Sequence, residues 1–231
     1  MEAERTELPI PPLEERASTE ERVAAALRDL IVSGRLPEGT PLVHREVASR
    51  LGVSPTPVRA GLSQLEREGL VVVGRSGRAH VSHLTREDFE EIYAARLGLE
   101  GLAARLGAPR VRDDALRTMA AILERLRALA ERQDVDEYLR LRWDFHAACY
   151  RASGRPRLVA EVERLYRRSE RYNRLVLASP GRFRASVARY GTFLEACRSR
   201  DGDAAEQIIH QAMRWAMDRL APTLPSEEER P

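Results

Sequence analysis

From Thr85 to about residue 220 the chain keeps one composition, leucine, alanine, arginine and glutamate, with apolar residues returning at helical spacing. Turn signals at Gly107/Pro109, Gly154/Pro156, Pro180/Gly181 and Gly202 cut it into segments. The pattern predicts six helices, over about 86–106, 111–132, 135–153, 156–178, 182–200 and 202–220. Connections this short fold each helix back on its predecessor, which gives an antiparallel all-α bundle. The segments differ in length and no motif recurs at a fixed period, so a solenoid of repeats is not expected.

Upstream of Thr85 the pattern differs. Residues 1–17 combine prolines with acidic excess and no periodicity, and read as a flexible leader. Ser18 with Glu21 makes a capping box, after which Val23, Leu27, Leu30 and Ile31 mark a helix up to Gly34. His44 to Leu51 is a second, short helix ended by Gly52. Ser54 caps a third, with Pro55 at its first position and Val58, Leu62 and Leu65 as its buried stripe. Two β-branched runs around a Gly/Arg/Ser turn predict a small hairpin closing near residue 84. Three short helices and a hairpin form a winged helix-turn-helix. The expected fold class is therefore mainly α, with a leader at 1–17, the winged unit at 18–84, the bundle at 85–222 and a frayed tail at 223–231.

Several kinds of chemistry are excluded by what the chain lacks. All 38 basic residues are arginine, so Schiff-base, lysine general-base and P-loop lysine chemistry are absent. Two cysteines, Cys149 and Cys197, are too few for a disulfide scaffold and fit as small buried thiols. There is no CxxC or HExxH, and the five histidines are scattered. No apolar run reaches the roughly 18 residues of a membrane span, and a cytoplasmic location is expected.

The net charge of +2 conceals unlike parts. Residues 22–81 hold nine arginines against five acids, whereas residues 1–21 hold two against seven. The basic stretch is the winged unit. On its third helix Thr56, Arg59 and Ser63 lie three or four residues apart, opposite the buried stripe, and point outward together. In the hairpin, Arg75 and Arg78 flank Ser76-Gly77, small residues that let the backbone approach a phosphate or minor groove. This face is read as a contact for double-stranded operator DNA.

The stretch SGRLPEGTPLVHREVASRLGVSPTPVRAGLSQLEREGLV resembles the amino-terminal pattern of the GntR family of bacterial transcription regulators over about residues 20–84. That resemblance implies DNA reading by Arg45, by Ser54, Thr56 and Arg59, and by the wing glycine Gly77. One position departs: the family usually has an arginine where this chain has Pro55. A bidentate arginine–guanine contact is worth about 1–3 kcal/mol of discrimination, and proline cannot make it.

Residues 85–220 resemble the FCD ligand-binding domain of the FadR subgroup, in its shorter six-helix, VanR-like version. The motifs are Arg96 to Glu100, Phe145-His146 before ASGRPRL, and FLEAC before DGDAA. In many relatives an aspartate and three histidines hold a divalent metal beside a small carboxylate effector. At the matching positions this chain has Arg142, His146, Tyr190 and Ala212, so one ligand of four survives. No metal or other cofactor is expected. An effector carboxylate is instead assigned to Arg142, His146 and Tyr190, with Arg96 as a further candidate facing the cavity. Two alternatives stand beside that reading: Arg142 pairs with an acid such as Glu100, and Arg96 forms an i,i+4 pair with Glu100.

The expected protein is a homodimeric, DNA-binding transcriptional repressor, not an enzyme, whose operator affinity responds to a small carboxylate. The competing reading is an effector-independent DNA binder whose bundle serves only for dimerisation.

Overall fold

The computed structural model describes residues 18–74, 77–132, 134–179 and 181–229. Helices α1 (Thr19–Val32), α2 (His44–Leu51) and α3 (Pro55–Arg67) are followed by strands β1 (Val71–Val73) and β2 (Ala79–Val81). The strands pair antiparallel with Val71 opposite Val81 and Val73 opposite Ala79. Val23, Leu27, Ile31, Val58, Leu62, Leu65, Leu70 and Val81 share one core. The capping box forms as expected, Glu21 N–H donating to Ser18 Oγ and Ser18 N–H to the Glu21 carboxylate. At Gly61 a side chain on α3 would press into the backbone of α1 at Glu20 and Ala24, so glycine permits their close crossing.

The bundle consists of α4 (Arg86–Gly107), α5 (Asp113–Arg132), α6 (Val135–Ala152), α7 (Pro156–Arg168), α8 (Glu170–Ala178), α9 (Arg182–Arg198) and α10 (Gly202–Leu220). A second core gathers Phe89, Tyr93, Leu126, Phe145, Phe193, Ile209 and Met213. Helices α4 and α6 approach so closely at Gly107 that a Cβ there would overlap the Cys149 carbonyl. Cys149 and Cys197 are both buried free thiols, and their mutual contact together with burial pushes the Cys149 thiol well above its ordinary range.

Three expectations are corrected. The single helix expected over 156–178 is two, because Ser169 Oγ donates to the Tyr166 carbonyl at 2.7 Å and competes with the helical ladder. Ser54 occupies the N-cap position of α3 in extended backbone, but its side chain makes no capping bond. The tail does not fray at 223: Leu224 is buried in the bundle core, and Arg86 bonds the carbonyls of Ala221, Leu224 and Pro225. Glu227 N–H adds a bond to the Glu87 carboxylate.

Helix α8 also carries the junction between the two cores. Arg171 donates to the Ser82 carbonyl at 2.9 Å and pairs with Glu38 at 3.4 Å. Tyr172 Oη accepts from the Thr85 N–H at 3.1 Å and donates to the Asp88 carboxylate at 2.9 Å. Glu170, at the start of α8, is pushed up to about 7 by burial, against the pull of Arg167, Arg174 and Arg28. The folded protein therefore keeps a proton that the unfolded chain releases above about 4.5, and stability falls as pH rises through that window. Glu170→Gln is expected to raise the Tm at pH 8 and to match wild type at pH 4.5. Equal differences at both pH values in thermal denaturation would refute it.

Candidate nucleic-acid interface and bundle cavity

The turn between α2 and α3 sets the reading face. Gly52 adopts the left-handed conformation, φ 65°, that ends α2 and redirects the chain into α3. Val58, Leu62 and Leu65 bury one side of α3, leaving Thr56 and Arg59 exposed and Ser63 half-buried on the other. Ser54 at the start of α3 and Arg45 on α2 are exposed as well. Neither Arg45 nor Arg59 has an acidic partner among the described residues, whereas Arg28, on α1, is locked to Glu68 by two bonds of 2.6 and 2.7 Å. In the wing, Gly77 takes φ +75° and its N–H donates to the Gly74 carbonyl at 2.8 Å, beside exposed Arg78. Arg75 lies outside the described residues.

The second feature is a cavity among α6, α8, α9 and α10. Arg142, His146, Tyr190 and Ala212, the four positions matched to the metal ligands, all line it. Its side chains close it down to about 30 Å³, so a ligand larger than a water requires them to move. The donor set does not fit a divalent cation, because one imidazole and one phenol face arginines that repel it. Among the described residues no three His, Cys, Asp or Glu side chains come together as a metal-holding group. His210 packs instead against Gly101 of α4.

The cavity is strongly cationic. Burial, and then the charges of Arg142, Arg96 and Arg189, hold His146 neutral, well below its usual 6.5. Its Nδ1 is buried without a hydrogen-bond partner. The Arg142 guanidinium lies 5.4 Å from the Tyr166 ring centre and donates to Asn173 Oδ1 at 2.9 Å. The alternative pairing of Arg142 with Glu100 is not observed. Both Glu100 oxygens are occupied, by Arg96 Nε at 2.7 Å and by the Tyr150 hydroxyl at 2.9 Å. Arg96 is fully buried, also donates to Ser169 Oγ at 2.9 Å, and does not line the cavity. Its place is structural, as the i,i+4 spacing allowed.

Arg182, Ser186 and Arg189 on α9 also face the cavity, and the sequence reading passed over them. Their i, i+4, i+7 spacing was a legible signal for one helical face. What hid them is the arginine richness of the whole chain, in which such a face reads as solvated surface. Arg182 is 6% exposed and stacks on Trp215, 3.8 Å from guanidinium carbon to ring centre. Burial, then Arg189 and Arg142, push it down to about 10, which still leaves it charged at neutral pH.

A winged helix-turn-helix joined to a helical bundle with an internal cavity defines the class of two-domain bacterial regulators. Sequence comparison gives the family. The pattern described as "Bacterial regulatory proteins, gntR family" matches residues 19–81, and the FCD domain pattern matches residues 91–214. The chain belongs to the GntR family and carries an FCD domain. McbR of Escherichia coli K12, an HTH-type transcriptional regulator, is 25% identical over 81% of this chain and 86% of its own length. The gluconate operon transcriptional repressor of Bacillus licheniformis is 37% identical over 53% of this chain, which spans half of that protein's length. The solved E. coli McbR/YncC structure superposes with a TM-score of 0.76 at 23% identity, over 90% of this chain and 99% of that one. A GntR regulator from Rhodococcus sp. RHA1 gives 0.73 at 23% identity, over 88% and 97% respectively. These two likenesses establish the shared fold. The relatives are transcriptional regulators, not enzymes.

Proposed function

We propose that the protein is a homodimeric repressor that binds a roughly palindromic operator, and that a small carboxylate held in the bundle without metal modulates its affinity. Repression is extended here from the relatives named as operon repressors. The observation that carries the reading is the connection through α8. Asn173 accepts from Arg142 at the cavity, while its neighbours Arg171 and Tyr172 hold Ser82 and Thr85 at the exit of the wing. A carboxylate drawing Arg142 away from Asn173 loosens the first turn of α8, and the adjacent contacts of Arg171 and Tyr172 transmit the change to the reader. The ligand acts only through a difference in affinity between the two arrangements, and about 1–3 kcal/mol of coupling is typical. Arg142, His146 and Tyr190 hold the carboxylate; Arg45, Ser54, Thr56, Arg59, Ser63, Gly77 and Arg78 contact DNA. Arg75 is assigned to DNA on its place in the sequence alone.

The direct test is footprinting of the DNA upstream of the gene, followed by affinity measurements with and without candidate acids. If a dimer neutralises about six phosphates, affinity falls roughly 10³-fold between 50 and 200 mM salt. A flat salt response refutes DNA binding by this face. Operator affinity that no carboxylate changes favours the effector-independent DNA binder.

A further inference from the structure

We infer that the bundle cavity takes a small dianion, with a second anion-binding point at Arg182 on the side of the cavity formed by α9. The inference rests on the effector reading above and extends it. Three guanidiniums, those of Arg142, Arg182 and Arg189, line the cavity, and the only acid lining it among the described residues, Glu100, is already occupied by Arg96 and Tyr150. Arginine cannot shed its charge by deprotonation at neutral pH, and a buried charge without a partner is costly. Arg189 is half-buried and keeps contact with water. Arg182 is far more enclosed: it is 6% exposed, and its buried Nε and Nη1 have no hydrogen-bond partner among the described residues. Trp215 covers the face of its guanidinium, so hydrogen bonding is left to the edges.

On the α6 side, Arg142 and His146, whose buried Nδ1 is also without a partner, supply the other anchoring point. A monoanion at Arg142 leaves the buried Arg182 uncompensated, whereas a second negative charge satisfies both. Val176, Leu177, Ile209 and Met213 line the rest of the cavity and suit a short hydrocarbon spacer. A short α,ω-dicarboxylate or a small phosphate monoester carries the required charge, and the test separates the two.

Calorimetric titration of the full-length protein compares three-to-six-carbon dicarboxylates, the monocarboxylates of equal length, and glycerol phosphate. The best dianion is expected to bind about 10- to 100-fold more tightly than the matched monoanion, as one additional charged hydrogen-bonding group provides. Arg182→Met is expected to remove that preference while leaving the monoanion within about threefold. The same variant is expected to melt higher than wild type without ligand, because it removes an unpaired buried cation; a lower melting temperature counts against an unpaired Arg182. Retention of part of the preference in Arg182→Lys supports a charge contact. Preference for glycerol phosphate identifies a phosphoryl ligand, and preference for a dicarboxylate identifies two separate carboxylates. Equal binding of mono- and dianions that depends on Arg142 but not Arg182 overturns the dianion and leaves the effector reading standing. Binding of none of these ligands overturns both.

Discussion

Replacing Arg45 and Arg59 together with alanine is expected to weaken operator binding by about 10²- to 10⁴-fold. Each arginine that reads a base in bidentate fashion contributes about 1–3 kcal/mol of discrimination, and the two lie on different helices, where their losses add. Both side chains are exposed and neither is tied to an acid among the described residues, so truncation leaves no buried charge and the fold is unaffected. Pro55 raises what each of them must carry, because its position supplies no hydrogen-bonding side chain. The measurement is fluorescence anisotropy on the footprinted site at fixed salt, with unrelated duplex as control. If the double variant loses affinity equally for both DNAs, the two arginines contact phosphate only. A loss below threefold removes them from the interface.

Glu100→Ala is expected to destabilise the bundle by about 3–5 kcal/mol, because it strands a buried guanidinium. Arg96 is 0% exposed, and Glu100 is its only acidic partner among the described residues. The Tyr150 hydroxyl loses its acceptor in the same step. At about 2–4 °C per kcal/mol for a protein of this size, the Tm falls by roughly 6–20 °C. Removing both charges in Arg96→Met/Glu100→Leu restores most of the loss, since an apolar pair of similar volume avoids the desolvation cost. Scanning calorimetry that includes Glu100→Leu alone distinguishes this from a cavity effect, because leucine refills the space but still strands Arg96 and is expected to remain destabilised. The pair also fixes the back of the cavity through Ser169 and Asn173, so partial loss of ligand response is expected to accompany the loss of stability.

The helices of the reader were legible because their signals are local. Ser18 with Glu21, Gly52 and Pro55 each act within a turn of their own position, and each sits where the chain begins or ends a helix. The break at Ser169 was not legible, because serine is tolerated within helices. Here its hydroxyl is held in place by a partner 73 residues away in sequence, Arg96, which donates to it. The docked tail was hidden for a similar reason. A proline-flanked leucine near a terminus is unremarkable as sequence, and only the N-terminal end of α4 gives Leu224 and its neighbours a surface to bind.

The cavity divides in the same way. The spacing of Arg142 and His146 placed both on one face of α6, and the family register brought Tyr190 and Ala212 to the same cavity. Spacing alone did not say which arginine meets which acid. Among 38 arginines and 36 acids almost any pairing is available. By itself the sequence determined the fold class and which side of α3 faces outward, since periodicity and capping are local properties. Only the tertiary structure decided that Glu100 serves Arg96 and not Arg142, and that Arg182 is buried without an acidic partner among the described residues. Those outcomes depend on burial and distance between helices, which no spacing along one helix contains.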